Sequence, residues 1–221
     1  MIKAVFIDYT GTTVMEGGPD MKNLTMRVCK NSNFDDPKEM MSVWWKIRKR
    51  YEADSYQDKY LTSEEILHKS LEELVNVYGL KDDIDELHKM ISSGWINAPL
   101  FPDAKEFYDK CPFPLFVITN NSENCVNEAM RINDLHPTGI VSADSTRACK
   151  PHKELFEKAL EIAGCKPEEV IHIGDSFASD VLGARSAGIK PILVQRKEKQ
   201  VYDDLIVVDN LKEVLKYLNI E

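Results

Sequence analysis

Short apolar runs that alternate with amphipathic patterns constrain the fold of this chain more than any other feature. Rich in Val, Ile and Phe, the runs occupy residues 4–7, 114–118, 139–141, 170–173, 191–194 and 205–208. Nearly continuous hydrophobicity is typical of parallel strands that are buried on both faces of a sheet. Helical patterns separate the runs at residues 103–110, 124–132, 153–163, 177–187 and 211–218. This alternation predicts an α/β fold built on a doubly wound parallel sheet.

Residues 14–98 interrupt the alternation, because they hold almost no strand signal. Amphipathic helices are predicted there at residues 36–53, 63–77 and 82–93, with a weaker helix at residues 21–30. Thr62 and Ser63, followed by two glutamates, are typical of a helix start. Gly79 is typical of the residue that closes a helix.

We therefore predict two domains. A core domain would comprise residues 1–14 and 99–221, and an inserted helical domain would comprise residues 15–98. The Gly- and Pro-containing turns at residues 17–19 and 97–99 would be the hinges. Insertions of this kind create a cleft between two domains, which is a preferred place for a small-molecule site.

Composition narrows the possible partners and the compartment. The net charge of −9 disfavours general nucleic-acid binding, which needs a basic surface. The five scattered cysteines have no paired spacing, which is typical of a reduced compartment. We see neither a signal peptide nor an apolar stretch long enough to span a membrane. We expect a cytoplasmic protein without nucleic-acid or membrane partners, and the sequence leaves the oligomeric state open.

Polar segments that could carry phosphoryl chemistry lie at or near the ends of the predicted core strands. They are Asp8-Tyr9-Thr10-Gly11-Thr12-Thr13, Thr119-Asn120-Asn121-Ser122, Lys150-Pro151, and Gly174-Asp175-Ser176 with Asp180 further on. The carboxyl ends of parallel strands meet at one edge of a sheet, so these groups can converge.

The residue types of these segments suit attack on a phosphoryl group. Carboxylate oxygens of Asp8 and Asp175 are hard ligands suited to Mg²⁺. Lys150 would supply positive charge to a phosphoryl oxygen and to Asp8. Thr119 and the turn N–H groups after Asp8 could donate to the other phosphoryl oxygens. A nucleophilic Asp8 would form an aspartyl-phosphate.

Together these segments resemble the motifs of the haloacid dehalogenase superfamily, whose members combine a Rossmann-like core with an Asp nucleophile. The helical insertion after the first motif matches one position of that family's cap domains. The resemblance implies phosphate binding by Gly11, Thr119, Asn120 and Lys150, with catalysis by Asp8, Thr10 and Lys150. It implies that Asp8, Asp175 and the backbone carbonyl of Thr10 hold Mg²⁺, supported by Ser176 and Asp180. Most members are phosphatases, so we expect a magnesium-dependent hydrolase of a small phosphorylated metabolite.

Thr10 departs from the family pattern. Phosphatases of the family usually carry there a second Asp, which protonates the leaving oxygen, and Thr cannot transfer protons near pH 7. General acid–base catalysis is typically worth about 100- to 10,000-fold in rate. We therefore expect slow turnover, a replacement acid such as His152, or a preference for good leaving groups such as aryl and acyl phosphates.

The residue at position 10 also suggests alternatives to the phosphatase hypothesis. Family phosphonate hydrolases have Ala there and use a cap lysine to form an imine, for which Lys46 and Lys49 are the candidates. Dehalogenases have Tyr there and need no metal, which disfavours that activity. A low-turnover protein that binds a phosphorylated ligand is a further alternative. We also expect Trp44 or Trp45 to line the cleft and Tyr9 to face it.

Overall fold

A parallel sheet forms the centre of the molecule. The computed structural model describes residues 1–196 and 200–218. Within these residues the strands are β1 (Ala4–Ile7), β2 (Leu115–Thr119), β3 (Gly139–Ser142), β4 (Val170–Gly174), β5 (Lys190–Val194) and β6 (Ile206–Val208). All neighbouring pairs are parallel, in the order β3-β2-β1-β4-β5-β6. The predicted doubly wound, Rossmann-like α/β fold is confirmed.

The strands lack polar alternation because both faces of the sheet are covered. In β1, Val5 and Ile7 pack into one hydrophobic cluster, while Ala4 and Phe6 pack into a second cluster on the opposite face. All four residues of β1 are buried. A polar residue at any of these positions would lose its hydration, which explains the continuous apolar runs.

The α-helices of residues 19–96 pack mainly on one another. These residues, all of which are described, contain α1 (Pro19–Lys30), α2 (Pro37–Asp54), α3 (Ser63–Tyr78) and α4 (Ile84–Ile96). Their apolar faces enclose a hydrophobic cluster that includes Leu24, Trp44, Leu71 and Ile91.

The ends of these helices follow local sequence signals. Thr62 and Glu65 form the reciprocal capping box that the sequence predicts for α3. Gly79 ends the same helix with a φ of 66°, in the left-handed region that glycine favours. Asp36 caps α2 by accepting a hydrogen bond from the backbone N–H of Lys38.

The remaining helices flank the sheet. They are α5 (Ala104–Lys110), α6 (Glu123–Ile132), α7 (Lys153–Ala163), α8 (Leu182–Ser186) and α9 (Leu211–Tyr217). The single helix predicted at residues 177–187 is wrong in detail, because a π-helical turn (Phe177–Val181) precedes the short α8. Such turns recur at functional sites.

The division into two domains stays a prediction. The proposed core segment 99–221 includes residues 197–199 and 219–221, which lie outside the described residues. Among the helices described, none combines the length and the hydropathy that crossing a membrane requires.

Candidate active site

The candidate site lies where the strand order of the sheet changes direction. Strand β1 lies between β2 and β4, so Asp8, Thr119 and Asp175 come to one edge of the sheet from three neighbouring strands. This is the topological switch point at which open α/β sheets bind ligands. A cavity of about 110 Å³ opens there, lined by these three residues together with Thr10, Asn120 and Lys150.

A buried charge network joins the predicted motifs. The Lys150 ammonium donates to Asp8 Oδ1 and, at 2.7 Å, to Asp180 Oδ1. The same Asp180 oxygen lies 2.9 Å from His172 Nε2, and its other oxygen accepts from the backbone N–H of Ser176 at 3.1 Å. Asp8, Lys150, Asp180 and His172 are all at most 6% exposed. The lysine is therefore held by the nucleophile candidate on one side and by an anchored carboxylate on the other.

Burial and neighbouring charges give the carboxyl groups of the site different pKa values. Burial raises the pKa of Asp8 to about 6, although the Lys150 charge opposes that shift. Burial and the neighbouring charges of Asp8 and Asp180 raise the pKa of Asp175 well above its ordinary value. Asp180 is also desolvated, but the Lys150 charge and the His172 hydrogen bond hold its pKa below the usual range. Carboxylates therefore outnumber nearby cations, which favours the entry of a further positive charge.

Asp8, Asp175 and Asp180 fit a divalent cation. One oxygen from each carboxylate lies within 4.8 Å of the others. A compact set of hard oxygen donors is the chemistry that Mg²⁺ and similar cations prefer. A bound cation would also balance the excess negative charge of these carboxylates.

Two glycines make this close approach of the carboxylates possible. A Cβ atom at Gly11 would lie 2.5 Å from a carboxylate oxygen of Asp175, and one at Gly174 would lie 2.2 Å from Cγ of Asp180. Gly11 also has a φ of 91°, a conformation that strains other residues. Its N–H donates to the carbonyl of Val14 at 2.8 Å, so phosphate binding by Gly11 stays a prediction.

The loop after β2 supplies further groups to the cavity. Thr119 Oγ1 accepts from the backbone N–H of Asn121 at 3.0 Å. The Asn120 side chain already has protein partners: its Oδ1 accepts from the backbone N–H of Lys150 at 2.8 Å, and its Nδ2 donates to Glu52 at 3.3 Å. Asn121 also lines the cavity, and its buried Nδ2 has no hydrogen-bond partner among the described residues. The sequence pattern names both asparagines, but only the structure shows which amide lacks a protein partner.

Helix α2 forms the opposite wall of the cavity. Trp45, Arg48, Lys49 and Glu52 line it, whereas Trp44 is buried among the helices of the insertion. This agrees with the expectation that one of the two tryptophans faces the cleft. Arg48 is only 2% exposed, a placement that sequence reasoning missed because charged helix faces are usually solvated.

One expectation about a neighbouring residue is wrong, and one alternative for the missing acid is disfavoured. Tyr9 does not line the cavity: it is buried beside the sheet, and its hydroxyl donates to the backbone carbonyl of Trp95 at 3.2 Å. His152 precedes α7 and stacks on Tyr56 with ring centroids 4.1 Å apart, so it is not among the residues that line the cavity.

Ser176 and the threonines of the first loop support the site. The Ser176 hydroxyl accepts from the N–H of Ser179, within the π-helical turn that carries Asp180. Thr13 Oγ1 donates to the carbonyl of Asp8 at 2.8 Å. These contacts hold the two loops that carry the acidic groups.

Comparison with known proteins identifies similar sequences. The sequence model of one protein family, the haloacid dehalogenase-like hydrolases, matches residues 2–188. Over 87 residues the chain is 37% identical to the glyceraldehyde 3-phosphate phosphatase of Methanothermobacter thermautotrophicus, an alignment covering 34% of this chain and 38% of that protein. The chain spans about half the length, or less, of the curated relatives it matches.

Solved structures share the whole fold. The L-2-haloacid dehalogenase from Xanthobacter autotrophicus superposes with a TM-score of 0.83 at 18% identity, covering 99% of both chains. The HAD-hydrolase YfnB from Bacillus subtilis, bound to magnesium, has a TM-score of 0.79 at 20% identity and also covers 99% of both chains. At these identities the likeness shows the fold alone.

Proposed function

The chain belongs to the haloacid dehalogenase-like hydrolases, and from that premise we propose that it is a magnesium-dependent phosphatase acting through an aspartyl-phosphate on Asp8. Its substrate would be a small phosphorylated metabolite. The observation that carries this proposal is the contact of the buried Asp8 carboxylate with the Lys150 ammonium, inside a cluster of carboxylates compact enough to hold a cation. A purely binding site has no need of such a nucleophile.

The chain's own residues account for two chemical steps. In the first, an Asp8 oxygen forms a bond to phosphorus while the bond from phosphorus to the leaving oxygen breaks, and the electron pair departs with that oxygen. In the second, the oxygen of a water molecule forms a bond to phosphorus and releases a proton to solvent, the Asp8–phosphorus bond breaks with its electron pair returning to the Asp8 carboxylate, and inorganic phosphate leaves. Lys150 balances the negative charge on the phosphoryl oxygens throughout. Asn121 and Thr119 lie where they could orient the phosphoryl group.

We propose that Asp8, Asp175 and the backbone carbonyl of Thr10 hold the metal, with Asp180 anchoring Lys150. When bound, Mg²⁺ would supply the positive charge that allows an anionic phosphate to approach an anionic nucleophile. The excess of carboxylates over cations in the cavity supports this assignment.

The relatives support the choice of phosphoryl chemistry over dehalogenation. One relative, 37% identical over 87 residues, is a glyceraldehyde 3-phosphate phosphatase, and Thr10 is not the Tyr expected of a dehalogenase. The cavity of about 110 Å³ is small beside the pockets of about 300–1,000 Å³ that hold drug-sized ligands, which favours a small substrate.

We further propose that residues 15–98 act as a cap domain on a core of residues 1–14 and 99–221. Closure of the cap at the turns 17–19 and 97–99 would exclude water from the reaction. The scattered cysteines support a cytoplasmic location, and the acidic net charge argues against nucleic-acid partners.

Hydrolysis of para-nitrophenyl phosphate tests the proposal. We expect wild-type activity to require Mg²⁺, Asp8→Asn to abolish it, and Thr10→Asp to raise it, since Thr10→Asp adds the missing proton donor. The increase in activity that Thr10→Asp produces should be larger for an alkyl phosphate than for para-nitrophenyl phosphate, by up to about 100-fold. A poor leaving group depends more on protonation than a good one does. Asp134→Asn, at an exposed acid outside the cavity, is the matched control. Full activity of Asp8→Asn would refute the assignment.

Phosphonate hydrolysis is a second candidate function, because one of the two candidate imine-forming lysines, Lys49, lines the cavity. Lys46 is not among the lining residues. Imine formation normally needs a desolvated amine, and Lys49 is exposed. Borohydride trapping of a keto-phosphonate on Lys49 would favour this activity. Acid-quenched mass spectrometry showing phosphate on Asp8 would favour the phosphatase, and a binding protein would give neither adduct.

A further inference from the structure

Arg48 is a buried cation with few partners in the cap wall of the cavity. Its Nη2 donates to Glu52 at 3.2 Å, and its guanidinium lies 4.5 Å from the centroid of the Trp95 ring. Its Nε and Nη1 are buried and have no hydrogen-bond partner among the described residues. Buried charged donors without acceptors are costly, so an arrangement of this kind indicates a missing anion.

The surroundings of Arg48 indicate that this anion enters with a ligand. Arg48 lines the same cavity as Asp8 but lies on α2, whereas the carboxylates lie at the sheet edge. The two unpartnered nitrogens are buried, and Arg48 contributes to the lining of the cavity. A small movement of the side chain toward the cavity would bring them to an acceptor on an entering group. Lys49 in the same wall adds positive charge.

Glu52 fixes the guanidinium relative to the catalytic lysine. One Glu52 oxygen accepts from Arg48, and the other accepts from Asn120 Nδ2. Asn120 in turn accepts from the backbone N–H of Lys150. This chain of contacts connects the wall formed by α2 with the backbone of Lys150 at the sheet edge. The side chains of Arg48 and Lys150 line the same small cavity.

We propose that Arg48 binds a second anionic group of the substrate, while the phosphoryl group lies against Asp8 and Lys150. This inference rests on the proposed phosphatase function and narrows its substrate class. The substrate would be a short phosphate ester that carries a carboxylate or a second phosphate, rather than the phosphate of a neutral alcohol. Asn121 Nδ2 would be a further donor to the same ligand.

Three probes built on one two-carbon scaffold test this assignment: 2-hydroxyethyl phosphate, phosphoglycolate and ethylene glycol bisphosphate. They end in a hydroxyl, a carboxylate and a second phosphate, so they separate the two possible anions. We expect wild-type kcat/KM to be highest for one of the charged probes. Arg48→Met should lower the ratio of charged-probe to hydroxyl-probe kcat/KM by about 10- to 100-fold, mainly through KM, because a charge-assisted hydrogen bond is lost.

The ratio separates recognition from a structural role of Arg48. If Arg48 only supported Trp95 and Glu52, its loss would lower kcat/KM for all three probes by the same factor. Arg48→Lys retains the charge and should recover part of the ratio. Arg50→Met is the matched control, since Arg50 is an exposed residue of the same helix that pairs with Glu73, and it should leave the ratio unchanged.

Binding of the same probes to Asp8→Asn, measured by calorimetry with Mg²⁺, makes the test independent of turnover. Tighter binding of a charged probe that Arg48→Met removes in this background supports the assignment. Equal affinities for charged and hydroxyl probes overturn it, even if all are hydrolysed by the wild type. Failure of the proposed function appears differently, as the absence of phosphate on Asp8 with every probe.

Discussion

At the scale of single residues, small side chains matter as much as charged ones. Gly11 and Gly174 have no reactive group, yet they leave the space that the carboxylates of Asp175 and Asp180 occupy. The cluster at the sheet edge is compact because neither glycine has a Cβ atom, so each carboxylate can pack directly against the glycine backbone. A glycine at such a position is therefore part of the site in a physical sense.

Gly174→Ala should destabilise the protein and displace Asp180. The added Cβ would lie 2.2 Å from Cγ of a carboxylate already held by Lys150 and His172. We expect the free energy of unfolding to fall by about 1–3 kcal/mol, the usual cost of overpacking. Gly17→Ala is the control, because no atom of the described residues lies within 4 Å of its Cβ position. Urea unfolding checks both variants, and equal midpoints would show that Asp180 can move without cost.

At the scale of elements, one arginine joins the first and last helices of the insertion. Arg27 of α1 donates through Nε and Nη2 to both oxygens of Asp82, at 2.8 Å and 2.6 Å. It also reaches Glu86 of α4. Arg27, aided by the Asn31 amide, lowers the pKa of Asp82 to about 2. The pair is too distant in sequence for a local pattern to reveal it.

Asp82→Asn should remove stability only where the carboxylate is ionised. A pKa lowered from 3.8 to about 2 on folding means that the stabilisation is present above pH 4 and disappears as the pH falls through about 2. Because Arg27 is partly exposed, we expect a loss of about 1 kcal/mol near pH 7. The measurement is urea unfolding from pH 7 downward, with exposed Asp58→Asn as control. A difference between wild type and Asp82→Asn that stayed constant down to pH 2 would contradict this assignment.

At the scale of the whole molecule, the acidic groups are distributed unevenly. The chain carries a net charge of −9, and its sheet edge concentrates three carboxylates around one ammonium. The wall formed by α2 brings Arg48 and Lys49 to the same cavity. The cavity therefore combines a carboxylate cluster at the sheet edge, which favours a cation, with basic side chains on the α2 wall, which favour an anion.

Addition of Mg²⁺ should raise the melting temperature, and chelation should reverse the increase. At a concentration about 100-fold above Kd, binding adds about 2.7 kcal/mol, or about 5–10 °C for a chain of this size. Asp175→Asn should remove most of the increase, and Asp134→Asn, away from the cavity, should retain it. Thermal unfolding with Mg²⁺ or a chelator is the measurement.

This increase should depend on pH in a defined direction. Since folding raises the pKa of Asp8 from 3.8 to about 6, its contribution to the stability of the metal-free protein is present below pH 4 and is lost as the pH rises through 6. Mg²⁺ binds the ionised carboxylates, so the increase in melting temperature should be larger at pH 7 than at pH 5. An increase that is the same at both values would argue against metal binding by Asp8 and Asp175.

Secondary structure was largely predictable because it depends on local pattern. The strands begin and end within a residue or so of the apolar runs, and the helix at Lys153–Ala163 matches its prediction. The exception is the segment 177–187, where the contacts of Asp180 with Lys150, His172 and the N–H of Ser176 accompany a π-helical turn. Hydrogen bonds to other elements overrode the local helical pattern there.

The sequence by itself determined the alternation of strands and helices, the position of the helical insertion, and the polar segments that follow the strands. These follow from periodicity and from residue type, which are local properties. Only the tertiary structure decided that, among the described residues, the Asn121 amide lacks a partner while the Asn120 amide has one, that His172 contacts Asp180, and that Arg48 is buried in the cavity wall. Each of these depends on which distant group lies within about 3 Å of a polar atom, and that distance is set by how the insertion and the sheet pack together.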